Sequence, residues 1–421
     1  MEKLRLFFKA KEYKVVLNNF LSLAVLQVLN IVLPLLTVPY LLRVVGVEKF
    51  GLISMALALV AFFQLVIEYG FNTVSARDVS VVAHDKKAVE QIFNEVMSTK
   101  LFLASICSVV FLVLIFVVPQ FRLNVEVYLF TYIAVLGQAM FPVWLFQGLQ
   151  QMKYITYINV FFKTISTIFI FVLVRNAESY YLAPLLTSLG FLFSGFVSII
   201  LIKRLYSISF LLCSFKTIKK QLNKVKYLFF SDFQVALLAN ANVLLLGFLV
   251  SNTAVGYYAT ADKVIRALSN LQNPLINAFY PYISKLMTTD RIKAIQQIKK
   301  VGSYMSGVNL VGLAILFVCA TYIFKLLFGN YATESVIIFR IMILFPLLSF
   351  LDQLFGKIVL LINNREDLFF KVFFYTSLIS VLLSVVLTYS FGFIGTAIGS
   401  AIAQLFLAFG MWYYAKTYLK E

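Results

Sequence analysis

The chain has 421 residues; 62% are hydrophobic, only 13% are charged, and the formal net charge is +18. A soluble globular protein is about half apolar and about a quarter charged, so a soluble fold is excluded. With it goes the reading of the basic surplus as a nucleic-acid surface. Apolar runs recur along the chain, each long enough to cross a hydrocarbon core about 30 Å thick. They are continuous rather than alternating, which points to helices and not to barrel strands. The expectation is an all-α integral membrane protein.

The N-terminal stretch MEKLRLFFKAKEYK is basic and leads into an apolar segment too long for a secretory signal core, so it reads as an uncleaved first span. Twelve spans follow from the hydropathy pattern: 16–41, 50–71, 101–118, 127–149, 156–174, 180–202, 227–250, 254–284, 304–324, 334–362, 370–390 and 394–415. The links are short, and the chain divides into two six-helix halves, 1–205 and 206–421. GVEKFGLISMA at 46–56 and NTAVGYYATA at 252–261 each follow the first span of a half. They place Gly51 and Gly256 at matching positions, as a parallel repeat would.

If the N-terminus faces the cytoplasm, 26 of the 36 Lys and Arg fall in cytoplasmic segments and five in the opposite loops. By the positive-inside rule both termini are then cytoplasmic. Two of these loops pattern as amphipathic helices, expected to lie on the membrane surface. One is HDKKAVEQIFNEVMSTK, with Val89, Ile92, Phe93, Val96 and Met97 on one face. The other is DRIKAIQQIKKV, with Ile292, Ile295, Ile298 and Val301.

The remaining five cations, Lys163, Lys263, Arg266, Arg340 and Lys357, lie inside spans. A charge at the centre of a membrane helix costs about 2.5–3.5 kcal/mol on insertion scales, so such groups are candidates for function. Lys263, Arg266, Asn270, Asn273 and Asn277 step by three and four residues and share one helical stripe. Gln27 and Asn30 in span one and Lys163 in span five add to the polar set. A cationic, amide-rich interior suits an anionic, hydrogen-bonding substrate: Arg and Lys for phosphate, Asn and Gln for sugar hydroxyls. The alternative is structural, an Asp262–Arg266 ion pair with amides joining helices. Asp232, Asp262, Asp352 and Glu68 are candidates for coupling to H+ or Na+. Cys107, Cys213 and Cys319 are isolated, His84 is the single histidine, and no catalytic motif, metal cluster or cofactor loop is present.

Residues 34–80 contain P-Y-L-x-R-x-x-G at Pro39–Gly46, K-F-G-L at Lys49–Leu52, Y-G-F-N at Tyr69–Asn72 and S-A-R-x-x-S at Ser75–Ser80. This stretch resembles the start of bacterial polysaccharide repeat-unit flippases, the Wzx or O-antigen transporter family. These belong to the multidrug/oligosaccharidyl-lipid/polysaccharide (MOP) exporter superfamily. The resemblance implies two six-helix bundles around a central polar, cationic cavity in the bacterial inner membrane. It implies alternating-access transfer of undecaprenyl-diphosphate-linked oligosaccharide to the periplasmic leaflet, for O-antigen of lipopolysaccharide or a related polysaccharide. The implied partners are membrane lipids, a polysaccharide polymerase and a chain-length regulator. Arg77 matches the family pattern, as an entry-gate contact or a snorkelling side chain. The rival readings are a multidrug or cation antiporter of the same superfamily, a lipid II flippase, which usually carries two further helices, and, last, a membrane polysaccharide polymerase.

Overall fold

The computed structural model describes the backbone of residues 2–329 and 332–419. Side chains are described for residue 19, for 21–329 and for 333–419. The basic side chains of the first fourteen residues and Lys420 lie outside that set. No strand occurs among the described residues. The helices are α1 (Glu2–Glu68), α2 (Phe71–Val81), α3 (Lys86–Val117), α4 (Pro119–Arg122), α5 (Val125–Met140), α6 (Val143–Gly148), α7 (Met152–Leu173) and α8 (Leu182–Tyr206). They continue with α9 (Phe215–Leu249), α10 (Asn252–Asn270), α11 (Asn273–Thr289), α12 (Arg291–Phe328), α13 (Ala332–Ile341), α14 (Phe345–Gln353), a π-helix (Leu354–Leu361) and α15 (Glu366–Ala415).

Nine helical stretches among the described residues are long and apolar enough to cross a membrane. Eleven of the twelve expected spans fall on these stretches; span eight, 254–284, is not among them. Leu21–Val81 and Glu366–Ala415 hold two each, divided by non-helical backbone at Gly46 (φ 80°) and Gly392 (φ 56°). Those positive angles favour glycine, which has no Cβ to clash. Expected span eight, 254–284, is two helices, α10 and α11, separated at residues 271–272. Pro274 stands in the first turn of α11, where its missing N–H costs no helical hydrogen bond.

The chain packs as two compact units. The first comprises Met1–Thr37 with Leu59–Phe233, the second Val38–Ala58 with Gln234–Glu421. The segment 38–58 belongs to the second unit because it lies against α10 at backbone distance. A Cβ added to Gly51 would stand 1.7 Å from the Asn252 carbonyl oxygen, and one on Gly256 would stand 2.2 Å from the Val47 carbonyl oxygen. The two glycines that mark the repeat therefore pack in one tight helix crossing, the small-residue contact that membrane helices favour.

Both surface-helix expectations are corrected. The first loop is the opening of α3, capped by Asp85, whose side chain accepts from Lys87 N at 3.0 Å and Ala88 N at 3.2 Å. Val89, Phe93, Val96 and Met97 are buried against protein, with the Phe93 ring 6.3 Å from that of Trp144. The chain after α8 covers this face. Backbone N–H groups of Ser209, Leu211 and Cys213 donate to Glu90 (2.8 Å), Asn94 (2.9 Å) and Ser98 (3.0 Å). Four helical residues rise about 6 Å and two extended residues about 6.6 Å, so every second N–H meets a side chain from successive turns. The second loop opens α12, capped by Asp290; Ile295 and Ile298 are buried, whereas Ile292 is exposed. Lys100, expected in a cytoplasmic loop, is fully buried in α3 and ion-paired with Glu68 at 3.1 Å.

The glycine crossing yields a direct expectation. Gly51→Val and Gly256→Val each force backbone apart and lower stability by at least about 1–3 kcal/mol. Gly307→Ala, where an added Cβ meets nothing within 4 Å, does not lower it, since alanine favours a helix interior over glycine. Thermal unfolding of the detergent-solubilised protein checks both, and equal melting temperatures for all three variants would contradict the packing.

Candidate functional site

The second unit holds a cavity of about 430 Å³. Arg266 and Asp262 of α10, Asn273 of α11, Asp352 of α14 and Lys357 of the π-helix line it. The sequence-level alternative of an ion pair is present: Arg266 Nε donates to Asp262 Oδ2 at 2.6 Å, and Arg266 Nη2 donates to the Ala239 carbonyl at 2.9 Å. Asp262 Oδ1 is buried with no partner among the described residues. Asp352 is buried and accepts from Gln404 Nε2 at 2.5 Å. Lys357 donates to Gln353 at 3.3 Å. The π-helix adds a residue to each turn, which brings positions five apart, Asp352 and Lys357, towards the same wall.

The five-residue stripe is only partly assembled. Lys263 faces a smaller cavity of about 230 Å³ that it shares with Asp262, Arg266 and Asn240. Its ammonium lies 4.9 Å from the centre of the Phe50 ring, a cation–π distance. Asn270 and Asn277 are exposed, and Asn270 accepts from Asn273 Nδ2 at 3.1 Å. The break at 271–272 shifts the phase between the two helices, so a single-helix projection fails beyond Asn270. Arg340 is engaged elsewhere. It donates to the Phe317 carbonyl (3.3 Å) and to Thr321 (3.1 Å), and its guanidinium lies 5.2 Å from the centre of the Phe317 ring.

The first unit holds its own cavity, about 310 Å³, between α1, α7 and α8. Lys163 Nζ donates to Asn30 Oδ1 at 2.7 Å and lies 5.5 Å from the Phe191 ring centre. Gln27 is half-buried on α1 and does not line it, and Asp232 is exposed on α9. The Arg77 side chain is 74% exposed, with Asp78 3.9 Å away. Asp78 is held by Lys224 at 2.5 Å. Glu68 is tied to Lys100, which also donates to the Gln138 carbonyl at 3.4 Å.

Several cavity residues were not singled out from the sequence. On α15, Thr376, Ser380, Ser400 and Gln404 line the second unit's cavity. They belong to two series spaced by four, Thr376, Ser380, Ser384 and Thr388, and Thr396, Ser400 and Gln404, all buried. Ser400 joins Asn242 (2.8 Å) and the Tyr258 hydroxyl (2.9 Å) in one network. The four-residue repeat of small hydroxyls in an apolar run was the available signal, but each residue alone reads as ordinary span composition.

The Glu68–Lys100 geometry predicts a structural role that can be separated from transport. Glu68→Gln leaves a buried ammonium without its counter-ion and lowers stability by about 3–5 kcal/mol, while Glu68→Gln with Lys100→Met recovers most of the loss. Melting temperatures of the three proteins in detergent measure this. A double variant no more stable than the single would contradict it.

A family described as polysaccharide biosynthesis protein matches residues 16–287. Two proteins that carry the name "Putative O-antigen transporter" are similar over most of their length. The one from Escherichia coli (strain K12) is 29% identical over 90% of this chain and 92% of its own. The one from Shigella dysenteriae is 25% identical over 94% and 98%. Among solved structures, an inward-facing multidrug resistance MATE family transporter of the MOP superfamily superposes with a TM-score of 0.72. The identity is 13%, and the match covers 92% of this chain and 94% of that one. The lipid II flippase MurJ, in an inward closed conformation, gives 0.68 at 13% identity, covering 96% and 87%. The fold is that of MOP-superfamily transporters, and these relatives and neighbours are transporters and flippases rather than enzymes. With the family model spanning well over half its length, the chain belongs to the polysaccharide biosynthesis protein family.

Proposed function

We propose that the protein is a flippase for undecaprenyl-diphosphate-linked oligosaccharide repeat units. It carries them from the cytoplasmic to the periplasmic leaflet of the bacterial inner membrane by alternating access, with both termini in the cytoplasm. The observation that carries this reading is the lining of the cavities within the two units. Amides, hydroxyls and fixed cations are gathered there inside helices whose outer faces are apolar. Such walls recognise hydroxyl-rich, anionic head groups, and the polyprenyl tail stays in the surrounding lipid. A diphosphate moving outward across a membrane with a negative interior gains about 2.3 kcal/mol per charge per 100 mV. The drive in this reading is the membrane potential, an H+ or Na+ gradient, or both. Our candidates for such coupling are Asp262 and Asp352, which line the second unit's cavity. A polysaccharide polymerase and a chain-length regulator are the downstream partners proposed with this role.

The multidrug or cation antiporter reading keeps one specific observation: two carboxylates, Asp262 and Asp352, line the larger cavity. A single cellular experiment separates the two. In a strain lacking the gene, lipid-linked oligosaccharide is expected to accumulate on the inner leaflet and to clear when the wild-type protein is restored. Absence of accumulation, once redundant flippases are removed, together with efflux of a cationic dye, would favour the antiporter.

A further inference from the structure

The two cavities differ in charge, and the difference assigns them different tasks. In the second unit's cavity the formal charges cancel: Asp262 and Asp352 stand against Arg266 and Lys357. Arg266 is committed to Asp262 at 2.6 Å and to a backbone carbonyl. An incoming anion would have to compete with a carboxylate already in place. In the first unit's cavity, Lys163 is the one ionisable side chain among the described lining residues.

The rest of that lining is acceptor-rich. Thr37, Thr187 and Ser194 spend their hydroxyl protons on carbonyls of their own helices, those of Leu33 (3.1 Å), Ala183 (2.9 Å) and Gly190 (2.7 Å). Asn159 spends an amide proton on the Ile155 carbonyl at 2.9 Å. The three hydroxyls retain lone pairs, and Asn159 retains its carbonyl oxygen and one amide N–H. Lys163 has three donors and gives one to Asn30, which leaves two for a ligand. Hydroxyl and amide acceptors around one ammonium, with amide donors on Asn30 and Asn159, fit a ligand with many hydroxyls and one anionic group.

The geometry points to the Lys163–Asn30 cavity of the first unit as the anion subsite, taking a sugar that bears a phosphate or carboxylate, with the charge-balanced second-unit cavity left for uncharged parts or for coupling. This rests on the flippase reading above and revises the expectation that Lys263 and Arg266 hold the anion. The phosphate could come from the lipid linkage and the carboxylate from an acidic sugar; the chemistry of the subsite is shared.

Calorimetric titration of the full chain in lipid nanodiscs tests the assignment with three probes: glucose 1-phosphate, glucuronate and glucose. Wild type is expected to bind at least one of the two anionic probes more tightly than glucose, and the preferred anion identifies the source. Lys163→Gln is expected to weaken that probe about tenfold or more, the scale of one charge-assisted hydrogen bond, with glucose binding unchanged. Lys163→Arg keeps the charge and is expected to stay close to wild type, which guards against misfolding of the Gln variant. Equal binding by wild type and Lys163→Gln, or no preference of wild type for an anion over glucose, overturns the assignment. The cellular accumulation assay is read independently, so loss of this subsite and loss of the flippase reading give different results.

Discussion

A charge inside a bilayer has no bulk water to solvate it, and this structure answers that constraint separately at each ionisable group. Lys100 is closed off with Glu68. Arg266 is bound to Asp262 and a carbonyl. Arg340 spreads over the Phe317 ring, a carbonyl and a hydroxyl, and Lys263 lies over Phe50. Because breaking a buried pair costs far more than a surface pair is worth, these commitments fix which cations can still act on something else. Lys163 and Lys357 both have a neutral amide as partner, but of the two only Lys163 lines a cavity without a carboxylate among the described residues, so it is the clearest case of a cation with capacity left.

The close crossing of 38–58 with α10 serves the same end from the packing side. Gly51 and Gly256 let two backbones meet with no side chain between them. That contact places Phe50 beside Lys263 and Ser54 beside the cavity shared by Asp262, Lys263 and Arg266. The K-F-G-L motif is thus a piece of helix packing that also shapes the surroundings of an intramembrane cation.

Much of the architecture was legible in the sequence. Long apolar runs give membrane helices almost directly, and the Gly46 and Gly392 breaks lie between spans where turns were expected. The Asp262–Arg266 pair was legible as an alternative from its four-residue spacing. Three things were not. The faces of α3 and α12 that pattern as surface-lying helices are covered by protein, because periodicity shows that a face is apolar and not what covers it. Lys100 looked like a loop cation because its partner, Glu68, is 32 positions away. The polar stripe through Asn277 assumed one continuous helix, and the turn at 271–272 together with the π-helix changed which residues meet. Proline marked the first of these breaks; nothing in LFGKIVLL marks the second.

The central claim is that polar cavities with fixed cations serve an anionic lipid-linked sugar. The most direct measurement uses the purified protein in liposomes with a polyprenyl-diphosphate oligosaccharide in both leaflets and a membrane-impermeant glycosidase outside. The account predicts that the enzyme-accessible share grows beyond the outer-leaflet fraction, at a rate that rises with the amount of protein and responds to an imposed potential. A share that stays at the outer-leaflet fraction, with protein shown to be folded and inserted, would contradict it.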